Sequence, residues 1–119
     1  EHLPDIKNLK ESNVKSDVAI DLNLKLKEGY KINDLAPSLL NLIKINDKKE
    51  ASLIASYDWN IIKNSKIKLP KLSGEFIYYL QGKIYYCQDK KDSLCLVSNY
   101  ESKIIPASTN KNNIIEIIL

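Results

Sequence analysis

A chain of 119 residues that is 44% hydrophobic and 28% charged fits a single domain able to bury roughly two thirds of its unfolded surface, so its core requires neither metal nor disulfide. All 18 basic residues are lysine and the net charge is only +3, so the guanidinium fork that reads phosphate or guanine bidentately is missing, which argues against nucleic acid as a partner. No apolar run approaches the roughly 18 to 20 residues needed to span a membrane, and no membrane span is expected.

The chain opens on Glu1 and contains no methionine, which reads as a fragment or a processed product. Residues 1–16 carry Pro4 and several charges without a sustained period, and are expected to be a linker or an arm lying on a β-sandwich domain of residues 17–119. In "DVAIDLNLKLK" the apolar Val18, Ile20, Leu22, Leu24 and Leu26 alternate with Ala19, Asp21, Asn23, Lys25 and Lys27. That period of two predicts a strand with one buried and one wet face.

Glu28 and Gly29 turn the chain, and Pro37 keeps any strand from running through "KINDLAPS". "LLNLIKIN" and "ASLIASY" read as two strands around the charged turn "DKKE". "NSKIKLPKL" alternates around Ile67 and Leu69 until Pro70 ends it. From Glu75 to Cys87 the apolar phase Phe76, Tyr78, Leu80, Ile84, Tyr86 passes straight through Gly82. One long strand kinked or bulged at the glycine is expected, ahead of a Gln81-Gly82 hairpin. "CLVSNY", "KIIPAS" and "NNIIEIIL" complete the set. Seven to eight short strands without a helix predict an antiparallel, immunoglobulin-like β-sandwich.

Few residues support chemistry. His2 and two cysteines spaced C-x7-C do not make a zinc set, and one histidine leaves no Ser-His-Asp or Cys-His arrangement. No metal or cofactor is expected. Asp89 and Asp92 form a nominal carboxylate pair, but they lie in the most turn-like segment and read as solvated. Tyr78, Tyr79, Tyr85 and Tyr86 suit strand packing better than a stacking platform, and Trp59 reads as a filler between sheets.

Cys87 and Cys95 are eight positions apart, so both fall on one face if "DKKDS" is the turn of a hairpin. A bridge there closes a loop of about nine residues, worth about 2.5 kcal/mol on the loop-entropy model, so stability alone is a weak reason for it. Lys90 and Lys91 lie in the turn and favour a thiolate. From the residues alone a structural bridge, idle thiols and redox exchange all stay open, and the pair fits an oxidising compartment as a bridge or a reducing one as thiols.

"LKLKEGYKINDLAPS" and "IYYCQDKKDSLC" occur in the order in which similar segments occur in a known β-domain. They resemble the C-terminal domain of proteins that join a thioredoxin-like domain to an NHL-repeat β-propeller. The likeness runs from "LPDIKNLK" through the last strand. The chain also resembles, more distantly, the N-terminal immunoglobulin-like domain of the DsbD family of thiol-disulfide interchange proteins, which carries an "EGY" segment and a cysteine pair in a late hairpin. These resemblances imply an accessory module of a thiol-redox protein that is not catalytic alone. They imply Cys87 and Cys95 as the redox pair, Tyr85 and Tyr86 beside it, and a thioredoxin-like domain and a β-propeller as partners.

Overall fold

The computed structural model describes residues 10–92 and 94–119, which form nine strands and one helical turn. The strands are β1 (Lys10–Lys15), β2 (Ile20–Lys25), β3 (Tyr30–Ile32), β4 (Leu39–Ile45), β5 (Ala51–Asp58), β6 (Lys66–Leu69), β7 (Ile77–Gln88), β8 (Cys95–Ala107) and β9 (Ile114–Ile118), with α1 (Trp59–Ile62) between β5 and β6. Two sheets stack as a sandwich. The larger has the order β1-β8-β7-β4-β5, with β3 beside β7, and the smaller has the order β6-β2-β9.

β2 shows why the sheets face each other as they do. Ile20, Leu22 and Leu24 are buried while Lys25 is exposed and pairs with Glu116 of β9 at 3.4 Å. Val18 and Leu26, outside the strand, pack partly buried against the core. The larger sheet answers with Leu40, Leu42, Leu80, Ile84 and Ile104, all fully buried, so two period-two faces close on one dry layer.

Several local expectations are corrected. The sandwich is mixed and not purely antiparallel, because β1 pairs parallel with β8 and β2 parallel with β9. Residues 10–15, expected within an arm, form edge strand β1; residues 1–9, with His2 and Pro4, lie outside the described residues. "CLVSNY" and "KIIPAS" are a single strand, β8. Pro106 sits one residue from its end, facing Val14, where the missing N–H costs little of the ladder.

β7 is indeed one strand, but it carries no bulge: its register with both β4 and β8 is unbroken through Gly82. Glycine serves another need there. A Cβ at residue 82 would lie 2.8 Å from the Leu39 carbonyl carbon and 2.9 Å from the Leu40 Cα, inside the backbone of β4. The irregularity falls instead on β5, where the register with β4 shifts at Leu42/Ile43 and leaves Ile54 as the extra residue.

α1 carries the chain from the larger sheet to the smaller. Asp58 caps it by accepting the Asn60 N–H at 3.0 Å, Ile62 is fully buried beneath it, and Ser65 leaves it in the left-handed region at φ 61°. Trp59 is half-buried against the core with the Lys63 ammonium 4.5 Å above its ring, so it plugs this crossing and not the centre of the sandwich. No helix among the described residues is long and apolar enough to cross a membrane.

Candidate functional site

Cys87, near the end of β7, and Cys95, at the start of β8, stand directly opposite each other and are joined by a disulfide with their Cα atoms 4.0 Å apart. The Gln88 N–H donates to the Leu94 carbonyl at 3.0 Å, which makes the next pair inward, Cys87/Cys95, a non-hydrogen-bonded pair. Side chains approach most closely at such positions, so two facing cysteines there are within bonding reach. The connection between them holds Lys90, Lys91 and Asp92, all exposed, with Asp92 in the left-handed region at φ 57°. Ser93 of the expected turn lies outside the described residues.

The two sulfur-bearing residues differ in access. Cys87 is only 6% exposed, because β7 is flanked at that level by β8 on one side and by Lys31 of β3 on the other. Cys95 is exposed: β1 covers the outer edge of β8 only from Ser102 onward, so the first residues of β8 have a single neighbour, β7, among the described residues. The bridge therefore sits at the rim of the larger sheet with one residue sheltered and one open.

What shelters Cys87 comes from the other quoted stretch, residues 24–38. Gly29, at φ 85°, turns the chain so that its carbonyl accepts the Asp89 N–H at 2.6 Å. Lys31 reaches Asp89 at 3.4 Å across an exposed surface, a contact of small energetic weight. The Tyr30 hydroxyl accepts from the Gln88 side chain at 3.4 Å, and the Tyr30 ring lies 5.9 Å from that of Tyr86, tilted by 58°. Between β3 and β4 the chain leaves β7 and comes back. In that gap Tyr85 donates its N–H to the Ser38 hydroxyl at 2.9 Å and accepts the Asn33 N–H at 2.8 Å. The "N…APS" residues thus satisfy the one stretch of β7 backbone that no strand pairs on this side, which is why Ser38 is buried and polar at once.

Tyr85 and Tyr86 part company. Alternation along β7 puts Tyr85 on the outer face with Cys87, opposite Val97, and Tyr86 on the inner face against the core. Of the other tyrosines in the strand, Tyr78 is buried and accepts the Ser73 N–H at 3.1 Å, and Tyr79 is half-buried on the outer face. Asp89 and Asp92 are both exposed in the connection. Lys31, Asn33 and Ser38 escaped the sequence reading as neighbours of the cysteines, since β3 is too short for a period to register. The only available signal was that both quoted stretches carry turn-forming residues next to tyrosines.

The chain matches no protein-family model and no curated protein.

Proposed function

We propose that this domain is an accessory module of a thiol-disulfide redox protein, with the Cys87–Cys95 bridge as an exchangeable pair offered to a thioredoxin-like dithiol. The observation that carries this reading is the bridge's position: at a sheet rim, closing a small loop, with Cys95 open to solvent. A structural staple is better placed across a long loop, where the entropic return is larger.

The difference in access sets the order of events. A partner thiolate attacks the Cys95 Sγ, the S–S bond breaks, and Cys87 leaves as a thiolate while a mixed disulfide forms through Cys95. The partner's second thiolate then attacks its own sulfur in that mixed disulfide and releases Cys95. Two electrons and, after protonation, two protons have passed to the cysteine pair, and the partner has become the disulfide. Lys31, opposite Cys87 in the β3–β7 pairing, brings positive charge to the leaving thiolate, partly offset by its ion pair with Asp89, while Lys90 and Lys91 lie exposed in the connection with Asp89 and Asp92.

The likenesses noted in the sequence, to the domain that follows a thioredoxin-like unit and an NHL propeller and to the immunoglobulin-like DsbD domain, favour the same reading. On that footing the immunoglobulin-like description and a propeller packed in the same parent protein belong to the proposal. A second reading, a structural bridge in an interaction module, is favoured by the burial of Cys87.

One experiment separates them. The Cys87→Ser variant is mixed with a thioredoxin-like protein whose attacking thiol has been pre-activated as a mixed disulfide, and reduction of the unmodified domain by the dithiol form is followed by thiol counting. The redox reading expects a trapped adduct through Cys95 and native-state reduction, with the reduced form still folded after losing at most about 2.5 kcal/mol. A bridge that opens only in denaturant sinks the redox reading and leaves the structural one.

A further inference from the structure

Cys87 and Cys95 are a non-hydrogen-bonded pair, so the Cys95 N–H and C=O point away from β7, and alternation sends those of Val97 and Asn99 the same way. Further along β8 this outward row takes a strand. β1 pairs with residues 102–107, and Ser16, just after β1, donates its N–H to the Ala107 carbonyl at 3.2 Å. Along residues 95–101 no strand among the described residues meets it. The open stretch therefore begins at the bridge itself. Residues 94–100 carry no charge, and Val97, 48% exposed, follows Cys95 on the outer face.

We propose, resting on the redox reading of the bridge, that this open stretch is where the thioredoxin-like partner docks: an extended backbone segment of the partner pairs with the outward N–H and C=O groups of Cys95 and Val97. Val97 is on this account a positioning residue for the exchange. Displacement at sulfur runs in line: the incoming thiolate bonds to the Cys95 Sγ on the side opposite the bond that breaks, and the electron pair of that bond leaves with the Cys87 Sγ. Cys87 belongs to β7, so the incoming sulfur stands on the outer side of β8, over this edge. Attack on Cys87 would have to come from the far side of β7, where β3 lies with Lys31 opposite the cysteine. A protein that reaches Cys95 therefore lies along residues 95–99, and the main-chain groups exposed there are matched by an extended strand. A small dithiol has no backbone to pair and gains nothing from this edge.

The test compares two reductants on the folded 119-residue chain, reduced thioredoxin and dithiothreitol, by thiol counting over time. Val97→Pro deletes an N–H that faces away from β7, so the β7–β8 ladder keeps its bonds, while Val97→Ala trims the side chain and keeps the N–H. Val97→Pro is expected to slow reduction by thioredoxin about tenfold, the weight of one hydrogen bond, and to leave the dithiothreitol rate within about twofold of wild type. Val97→Ala is expected to lose less than Val97→Pro with thioredoxin. A second measurement uses the native Val97: its amide should exchange freely in the chain alone and become protected in the mixed disulfide of the Cys87→Ser variant with thioredoxin. Equal thioredoxin rates for Val97→Pro and wild type overturn the docking and leave the redox reading standing. So do equal losses with both reductants, a Val97 amide that stays unprotected in the mixed disulfide, or one already protected in the chain alone, where the edge is then occupied. A wild-type bridge that neither reductant opens in the folded state overturns both.

Discussion

Gly82 is held by its neighbours' backbone and not by its own flexibility. Any side chain there drives into the Leu39 and Leu40 main chain, which belongs to a central strand pair and has nowhere to move. Gly82→Ala is expected to destabilise the fold by about 1 to 3 kcal/mol, as overpacking does in a tight interior, measured by denaturant midpoint at unchanged slope. A neutral outcome would show that β4 gives way. At this scale the sequence was informative about identity and blind to cause: a glycine in phase with an apolar strand face was visible, and a bulge was the natural reading. The close approach of β4 is a tertiary fact with no local signature. The cysteines were a similar case, since their even spacing announced a shared face but nothing in residues 84–95 revealed that a strand from residues 30–32 would bury one of them and leave the other open.

The gap between β3 and β4 works as a splice in which side chains stand in for a missing ladder. Ser38→Ala removes the acceptor for the Tyr85 N–H and leaves that group buried and unpaired. A loss of about 1 to 3 kcal/mol is expected. Faster exchange of the Tyr85 amide relative to its neighbours in β7 is the site-specific readout; uniform acceleration would mean that the whole sandwich had loosened instead. Elements with a period of two over five or more residues, such as β2 and β7, were legible in outline because burial on one face imposes that pattern directly, and β4 and β5 were legible as apolar runs on either side of a charged turn. β1 and β3 were not. The first, "KESNVK", buries a single apolar side chain, Val14, and owes its strand state to the edge of β8. The second is three residues long and owes its state to β7. The join of two expected strands into β8 was hidden by Glu101 and Ser102, polar residues that interrupt the apolar pattern although both pair with β7 and Ser102 is fully buried.

Over the whole molecule, the dry layer between the sheets also governs the response to alkali. Burial pushes the hydroxyl pKa of Tyr57 and of Tyr100 above the ordinary 10.0, with the Ser102 hydroxyl opposing the shift at Tyr100. The folded state therefore holds these two protons more tightly than the unfolded chain. Their contribution to stability is complete below about pH 10 and is lost as pH rises through the folded-state values. Absorbance at tyrosinate wavelengths should show Tyr57 and Tyr100 ionising late, together with the loss of the β spectrum, and Tyr57→Phe or Tyr100→Phe should each remove one late step. Tyr57→Phe and Tyr100→Phe variants whose titration curves differ from the wild type only near pH 10, with the spectrum intact, would refute this. The two parallel pairings have a further bearing, on the order in which the chain is made. β1 meets β8 and β2 meets β9, partners roughly ninety residues apart. At about 5 to 20 residues per second of synthesis, Ile20, Leu22 and Leu24 wait some 5 to 20 s for Ile115 and Ile117 to exist. Throughout that interval the β9 side of β2 stands unpaired, while the Cys87 hairpin, whose partners are neighbours in sequence, assembles as soon as it emerges.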